Sequence, residues 1–270
     1  MAALPQLFAP YFSDKISKLH FNLQTNPSST PVSSRPSSLI SLFHSCTPAT
    51  LLEIDNLLSQ SSDSYCDLDP IPPLYLRKLL TNYPAILSIV NLSITTGTFP
   101  STLKSYICSP LLKTLYSIKK ICLMTAPCKP LLYLQSNRKI VKKRLLHYLT
   151  SSSSLNSFQS AYTKFNPTEI TLPSVHDHLT NAISKHQVSC LCLLDLSAAV
   201  DTLDHCILLR RLSTLFGISS LLLQWLISYL SFRTSAVHIP PHIPPSALLT
   251  CGVSKGSVLG PVLFNLYHSS

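Results

Sequence analysis

The sequence predicts an α+β fold, and two observations lead to this class. Several segments between residues 51 and 230 carry apolar side chains at helical spacing. One segment, Val188–Leu196, is instead a nearly continuous apolar run that contains a single acid, Asp195, next to its end. Such a run is typical of a buried central strand. We therefore expect helices packed on a sheet.

Composition narrows the class of partner. Only 12% of the 270 residues are charged, and 21 Lys or Arg against 11 Asp or Glu give a net charge of +10. This balance predicts a polyanionic partner, either nucleic acid or an anionic membrane. The nine cysteines show no paired C-x-x-C spacing, and no signal peptide precedes them. We therefore expect reduced thiols in an intracellular protein, cytoplasmic or nuclear.

The chain divides into three zones. Residues 1–64 are rich in Ser, Thr and Pro and predict a partly disordered leader with a short helix near Leu51–Leu58. Residues 65–187 are mostly helical by pattern, with a helix opened by Pro72 and Pro73 and another near Leu172–Ile183. The strand and the segments after it form the third zone, 188–270.

A basic amphipathic helix is predicted over Arg138–Leu149 within the second zone. Four of its cations are candidates for contact with a nucleic-acid backbone: Lys139, Lys142, Lys143 and Arg144. A solvated helix face explains the same pattern equally well.

Two uncharged stretches, Leu79–Leu103 and Leu212–Phe232, are long enough to cross a bilayer. The first is interrupted by Pro84, Gly97 and Pro100, and the second contains Gly217 followed by serines. These breaks favour separate short helices. We expect no membrane span, although a small membrane-associated protein remains an alternative.

The residues after the strand predict two helices. Asp204 fits the N-cap of a helix over Cys206–Phe216, which Gly217 would close. A second helix, Ser220–Leu230, places a stripe on one face that is typical of core packing, formed by Leu222, Trp225, Leu226 and Tyr229.

An acid at the end of a buried strand is costly unless it is paired or bound to a cation, so Asp195 predicts a divalent metal. Asp201 and Asp204 have milder explanations, a cap and a structural hydrogen bond. Zinc at Cys190 and Cys192 with His205 and Cys206 does not fit the known ligand spacings, and buried apolar cysteines are expected instead.

Three of the five glycines lie in one ten-residue stretch, Gly252–Pro261. Glycine is favoured where the backbone lies close to another group or takes a positive φ. The stretch therefore predicts a tight binding loop, with a plain structural turn as the alternative. The order Lys255-Gly256-Ser257 does not fit a phosphate-binding P-loop. We expect no small-molecule cofactor.

These residues carry a family resemblance. The segment Leu193–Leu209 closely resembles the first catalytic motif of reverse transcriptases from LINE-type, non-LTR retrotransposons, especially the vertebrate chicken-repeat and Jockey-like branch. The segment Gly252–Tyr267 resembles the next conserved block, in the expected order and at the expected separation. Weaker similarity to the fingers region, which includes Lys113, extends the match over most of 65–267.

The resemblance implies the fold and chemistry of a right-hand polymerase. Fingers would span 65–187 and a partial palm 188–270, with helices packed on an incomplete antiparallel sheet. RNA template and DNA primer would be the partners, and two Mg²⁺ ions would assist nucleotidyl transfer. Asp195 matches the first metal-binding carboxylate. The other two belong to a Tyr-x-Asp-Asp motif, and the chain reaches Ser270 without an adjacent pair of aspartates.

The resemblance also assigns nucleotide or template binding to Val200, Lys255, Gly256, Lys113 and Lys164. Several of these depart from the family pattern. Val200 stands where a large aromatic residue restricts the sugar, Ser254-Lys255 replaces Pro-Gln, and Lys164 would substitute for an absent arginine. We expect a truncated, inactive remnant of a polymerase. A non-catalytic, basic nucleic-acid-binding protein is the main alternative, and the oligomeric state is left open.

Overall fold

The computed structural model describes residues 42–60, 83–112, 123–127, 132–152, 154, 168–193, 200–237, 247–253 and 256–269. Within them lie seven helices: α1 (Leu51–Ser59), α2 (Tyr83–Thr96), α3 (Leu132–Ser151), α4 (Thr168–Ser184), α5 (His205–Thr214), α6 (Ser220–Leu230) and α7 (Gly260–His268). The strands are β1 (Ser105–Leu112), β2 (Leu123–Pro127), β3 (Arg233–Val237) and β4 (Ala247–Leu249).

The four strands form one mixed sheet in the order β2-β1-β3-β4. The two outer pairs are antiparallel, and the central pair, β1 with β3, is parallel. The coarse α+β prediction is therefore confirmed, while the incomplete antiparallel sheet implied by the resemblance is corrected to a mixed sheet, because β1 and β3 run parallel. A parallel pair needs a long crossover, and here the chain passes through several helices before β3 returns beside β1.

The strand predicted over Val188–Leu196 is wrong in its described part. Residues 187–193 form neither helix nor strand, and Val188 and Leu193 are 100% and 84% exposed. Cys190 and Cys192 are exposed as well, against the expectation of buried thiols. An apolar run becomes a strand only where a neighbour pairs with it, and other segments fill the described sheet. Asp195 lies in 194–199, outside the described residues.

Several helix predictions agree with the structure, although the helix predicted over Arg138–Leu149 begins earlier, at Leu132, and α5 ends at Thr214 instead of Phe216. Helix α1 begins at a capping box, in which the Thr50 side chain accepts from the backbone of Glu53 and the Glu53 side chain accepts from Thr50 N. Helix α6 has the predicted bounds, and α4 covers the helix expected near Leu172–Ile183. The predicted helix after Pro72 and most of the leader lie outside the described residues.

The core lies between α2, α3, α5, α6 and α7. All four residues predicted on the buried face of α6 are buried, which confirms that stripe as core. Trp225 stacks on Tyr229 at 5.4 Å between ring centroids, and the Trp225 indole N–H donates to Ser93 Oγ at 3.0 Å. Arg211 ties α5 to α7 by donating to the carbonyl oxygen of Tyr267.

Both uncharged stretches are broken as the sequence predicts. Helix α2 gives way at Gly97, which has φ 64°, and α5 is separated from α6 by Gly217, which has φ 65°. In the part of the chain that the structure describes, none of the helices combines the length and apolar character needed to span a bilayer.

Candidate functional site

The two segments that carry the family resemblance meet in the fold. Gly252 N donates to the carbonyl oxygen of Leu203 at 2.7 Å, and Val253 N donates to that of Val200 at 3.0 Å. The Cys251 thiol lies 3.6 Å from the carbonyl oxygen of Asp201. We call residues 200–205 and 251–253 together the motif junction. Backbone hydrogen bonds thus join segments that lie about 50 positions apart in the sequence.

Gly252 makes this approach possible. Its φ is 75°, in the left-handed region that favours glycine. A Cβ atom at position 252 would lie 2.5 Å from the carbonyl oxygen of Asp201, closer than any real contact. The sequence predicted a close approach or a positive φ within this loop, and position 252 has both. The backbone atoms that leave no room for a side chain at position 252 belong to Asp201, in the first motif segment.

His205 is a second link across the motif junction. Its Nε2–H donates to the carbonyl oxygen of Gly252 at 2.7 Å, so the proton of the neutral ring lies on Nε2. Burial lowers the pKa of His205, although its hydrogen bond and Asp204 partly oppose the shift. The sequence did not predict this contact. The only signal for His205 was its position inside the first motif segment.

Asp204 acts as the N-cap that the sequence predicted. Its Oδ1 accepts from Ile207 N at 2.9 Å at the start of α5. This contact fixes the turn that carries His205 towards Gly252. Leu203, next to it, is buried and anchors the junction in the core.

The rest of the glycine-rich loop leads into α7. Gly256 is exposed with φ 73°, and Ser257 Oγ accepts from Gly260 N at 3.0 Å. Val200 is half-buried against the hydrophobic core. The other residues assigned by the resemblance lie outside the described residues, so their roles stay predictions: Asp195, Lys255, Lys113 and Lys164.

The basic helix predicted over Arg138–Leu149 lies within α3, but Arg144 is committed to an intrachain contact. Its Nη1 and Nη2 donate to Glu53 Oε1 and Oε2 at 2.9 and 2.7 Å. The carbonyl oxygens of Thr47 and Pro48 accept from the same guanidinium. Hydrogen bonding to Arg144 is the main reason that the pKa of Glu53 falls to about 2. Arg144 therefore has a structural role in holding Glu53, and its contact with a nucleic-acid backbone stays a prediction.

The remaining three cations of the predicted backbone site are lysines of α3, of which one is exposed. Lys143 is largely exposed and lies 2.9 Å from Glu53 Oε1, while Lys139 and Lys142 are half-buried. Burial lowers the pKa of Lys139. Lys139 and Lys143 border a cavity of about 440 Å³ between α1 and α3, together with Glu53, Asn56, Leu57, Gln60 and Ile140.

The resemblance implies magnesium, which needs several oxygen donors around each ion. Among the described residues, no group of three or more His, Cys, Asp or Glu side chains is placed to hold a metal ion. Near the junction, Asp204 already serves as a helix cap. The described donors therefore do not fit a magnesium site by themselves.

No protein-family model and no curated protein matches this chain. The family resemblance therefore depends on the quoted residues and their order along the chain.

Proposed function

We propose that this chain is a reverse transcriptase-like domain derived from a non-LTR retrotransposon. Its fingers would span 65–187, and 188–270 would form a partial palm. The observation that carries the proposal is the motif junction. If the two motif segments served one nucleotide and template site, they would lie together in the fold despite their separation in the sequence. The hydrogen bonds of Gly252 and Val253 to residues 203 and 200 meet that condition.

We also propose that these 270 residues do not polymerise by themselves. The resemblance supplies one metal-binding carboxylate, Asp195, and the sequence contains no adjacent pair of aspartates to supply the others. Two-metal transfer needs several carboxylates around both ions. No reaction step is therefore assigned to the described residues.

A primer-extension assay tests the lack of activity. The full chain would be incubated with RNA template, annealed DNA primer, deoxynucleotides and Mg²⁺, and we expect no extension above background. Extension that Asp195→Asn abolishes and the control Asp55→Asn preserves would contradict the proposed inactivity. Asp55 is a suitable control because it is an exposed carboxylate on α1.

The proposed origin from a reverse transcriptase can be tested separately, without measuring catalysis. A domain of this kind should bind an RNA–DNA hybrid, measured by fluorescence anisotropy at several salt concentrations. Lack of binding at low salt would count against the polymerase origin. Binding should weaken as salt rises because phosphate contacts release counterions.

A non-catalytic nucleic-acid-binding protein is the second candidate, favoured by the three lysines of α3, of which Lys143 is exposed and Lys139 and Lys142 are half-buried. Charge reversal by Lys139→Glu with Lys142→Glu should reduce the salt slope by about one for each lysine that no longer neutralises a phosphate. The matched control is Lys185→Glu, because Lys185 is exposed and lies beyond the end of α4. If the wild type, the double variant and Lys185→Glu had equal affinities and equal salt slopes, Lys139 and Lys142 would be excluded as phosphate contacts.

A further inference from the structure

The cavity of about 440 Å³ between α1 and α3 has a volume typical of small-molecule sites. Residues three and four positions apart line it from each helix and therefore share one helix face. The lining residues are Glu53, Asn56, Leu57 and Gln60 of α1 with Lys139, Ile140 and Lys143 of α3. We call this space the interhelical cavity.

Apolar and polar groups are separated in the wall of the interhelical cavity. Ile140 is buried, and Leu57 is half-buried and packs against the hydrophobic core. Asn56 and Gln60 are exposed, and among the described residues no hydrogen bond holds either side-chain amide. Ligand sites commonly combine an apolar wall with a few convergent polar groups. The wall therefore suits a molecule with an apolar body and polar edges.

Positive charge exceeds negative charge in the same wall. Among the described residues that line the cavity, Glu53 is the one acid, and its carboxylate already accepts from Lys143 and Arg144. No described carboxylate forms an ion pair with Lys139. Lys139 and Lys143 lie four positions apart on α3, a spacing at which like charges repel. An anion that contacts both lysines would relieve this repulsion.

We propose that the interhelical cavity binds a nucleoside monophosphate, with the phosphate at Lys139 and Lys143 and the base against Leu57 and Ile140. A phosphate monoester carries more than one negative charge near neutral pH and forms strong charge-assisted hydrogen bonds. A side-chain amide both donates and accepts, as the edge of an adenine base requires, and Asn56 supplies such an amide. The proposal does not depend on a polymerase origin, because the lining residues lie outside both motif segments.

Isothermal titration of the full chain with adenosine 5′-monophosphate (AMP), at constant low ionic strength, tests the proposal. We expect saturable binding that Lys139→Gln weakens about tenfold or more, the effect of losing a hydrogen bond to a charged group. Lys142→Gln is the matched control, because Lys142 is half-buried on the same helix but does not line the cavity. Absence of saturable binding, or equal losses of affinity at the two positions, overturns the proposal.

A second variant keeps the test decisive if Lys139→Gln does not fold. The double change Asn56→Ala with Gln60→Ala removes two exposed amides from the cavity wall, so the fold should be retained while AMP affinity falls several-fold. Ser59→Ala is its control, since Ser59 is exposed on α1 and does not line the cavity. Equal AMP affinity in the double variant and the wild type would contradict the proposed contact with the base.

Titrations with the two halves of AMP show whether both parts are bound. Adenosine lacks the phosphate and inorganic phosphate lacks the base, so each should bind several-fold more weakly than AMP. Adenosine that binds as tightly as AMP would exclude the lysine contacts. Inorganic phosphate that binds as tightly as AMP would exclude a base in the cavity. Either result overturns the proposal.

A further titration with a 5′-phosphorylated oligoadenylate identifies the source of the nucleotide. Binding tighter than that of AMP assigns the cavity to the end of a nucleic-acid strand, and equal or weaker binding assigns it to a free nucleotide. The RNA–DNA hybrid reports separately on the proposed polymerase origin. A chain that binds the hybrid but not AMP would refute the cavity proposal and leave the proposed function standing.

Discussion

A Cβ atom on residue 252 would lie 2.5 Å from the carbonyl oxygen of Asp201. This distance is far inside van der Waals contact, so the backbone of 251–253 can lie against 200–205 only because Gly252 has no side chain. The hydrogen bond from Gly252 N to the Leu203 carbonyl, 2.7 Å long, depends on the same approach. One glycine therefore holds together the two segments on which the functional proposal depends.

Gly252→Ala should destabilise the fold strongly. The positive φ alone costs roughly 1–2 kcal/mol for alanine, and the clash with Asp201 adds to that cost. Gly256→Ala is the matched control because Gly256 also has a positive φ, 73°, but is exposed. Urea unfolding should show a clearly larger loss of unfolding free energy at position 252. Equal losses at the two positions would contradict the close approach.

Glu53→Gln should reduce stability by about 1–3 kcal/mol at neutral pH, because the variant loses charged hydrogen bonds to Arg144 and Lys143. The folded state lowers the pKa of Glu53 from 4.5 to about 2. Its stabilisation is therefore complete above about pH 4.5 and disappears as the pH falls towards 2. Thermal unfolding across this range measures the difference between the two proteins.

The control for Glu53→Gln is Asp55→Asn, which removes an exposed carboxylate from the same helix. We expect a change within about 0.5 kcal/mol for this surface substitution. A stability difference between Glu53→Gln and the wild type that stays constant from pH 6 to pH 2 would show that the ion pair does not carry the effect.

His205 should make stability depend on pH near neutrality. Its folded pKa is lowered from 6.5, so the unfolded chain takes up the proton first and stability falls as the pH drops below about 6.5. His205→Gln retains an N–H donor for the Gly252 carbonyl but does not titrate, so its unfolding midpoint should vary less between pH 7 and 5. His147→Gln, at an exposed position of α3, should keep the wild-type slope.

The cysteines should react at very different rates. Cys190 and Cys192 are exposed, whereas Cys46 is buried, and burial raises the pKa of Cys46 to about 11 despite the opposing charge of Arg144. Since the thiolate is the nucleophile, this pKa reduces the reactive fraction of Cys46 about a hundredfold relative to an unperturbed thiol. Iodoacetamide labelling followed by mass spectrometry should modify the exposed pair first. Rapid labelling of Cys46 in the native protein would contradict its burial.

Helices were predictable because their signals are local. The Thr50 capping box, the Asp204 N-cap and the glycines after α2 and α5 act within a few residues of the helix ends. The apolar stripe of α6 identified core positions for the same reason. Apolar character without a local signal misled the prediction at Val188, because a strand requires a partner from elsewhere in the chain.

The candidate site was predictable only in part. Motif similarity singled out 193–209 and 252–267, and the structure brings their described residues into contact. The sequence did not indicate that His205 would join them or that Arg144 would be held by Glu53, 91 positions away. Nor did it indicate that Arg138 would be buried beside Tyr229. Each contact depends on packing between distant segments.

The sequence alone determined the bounds and the core face of α6, the N-cap at Asp204, the excess of positive charge and the glycine loop, because these follow from short-range backbone preferences and from composition. Tertiary structure decided the parallel pairing of β1 with β3, the commitment of Arg144 to Glu53 and the contact of Gly252 with Asp201. These features bring together residues that are far apart in the chain, and long-range packing rather than local conformational preference selects among the possible pairings.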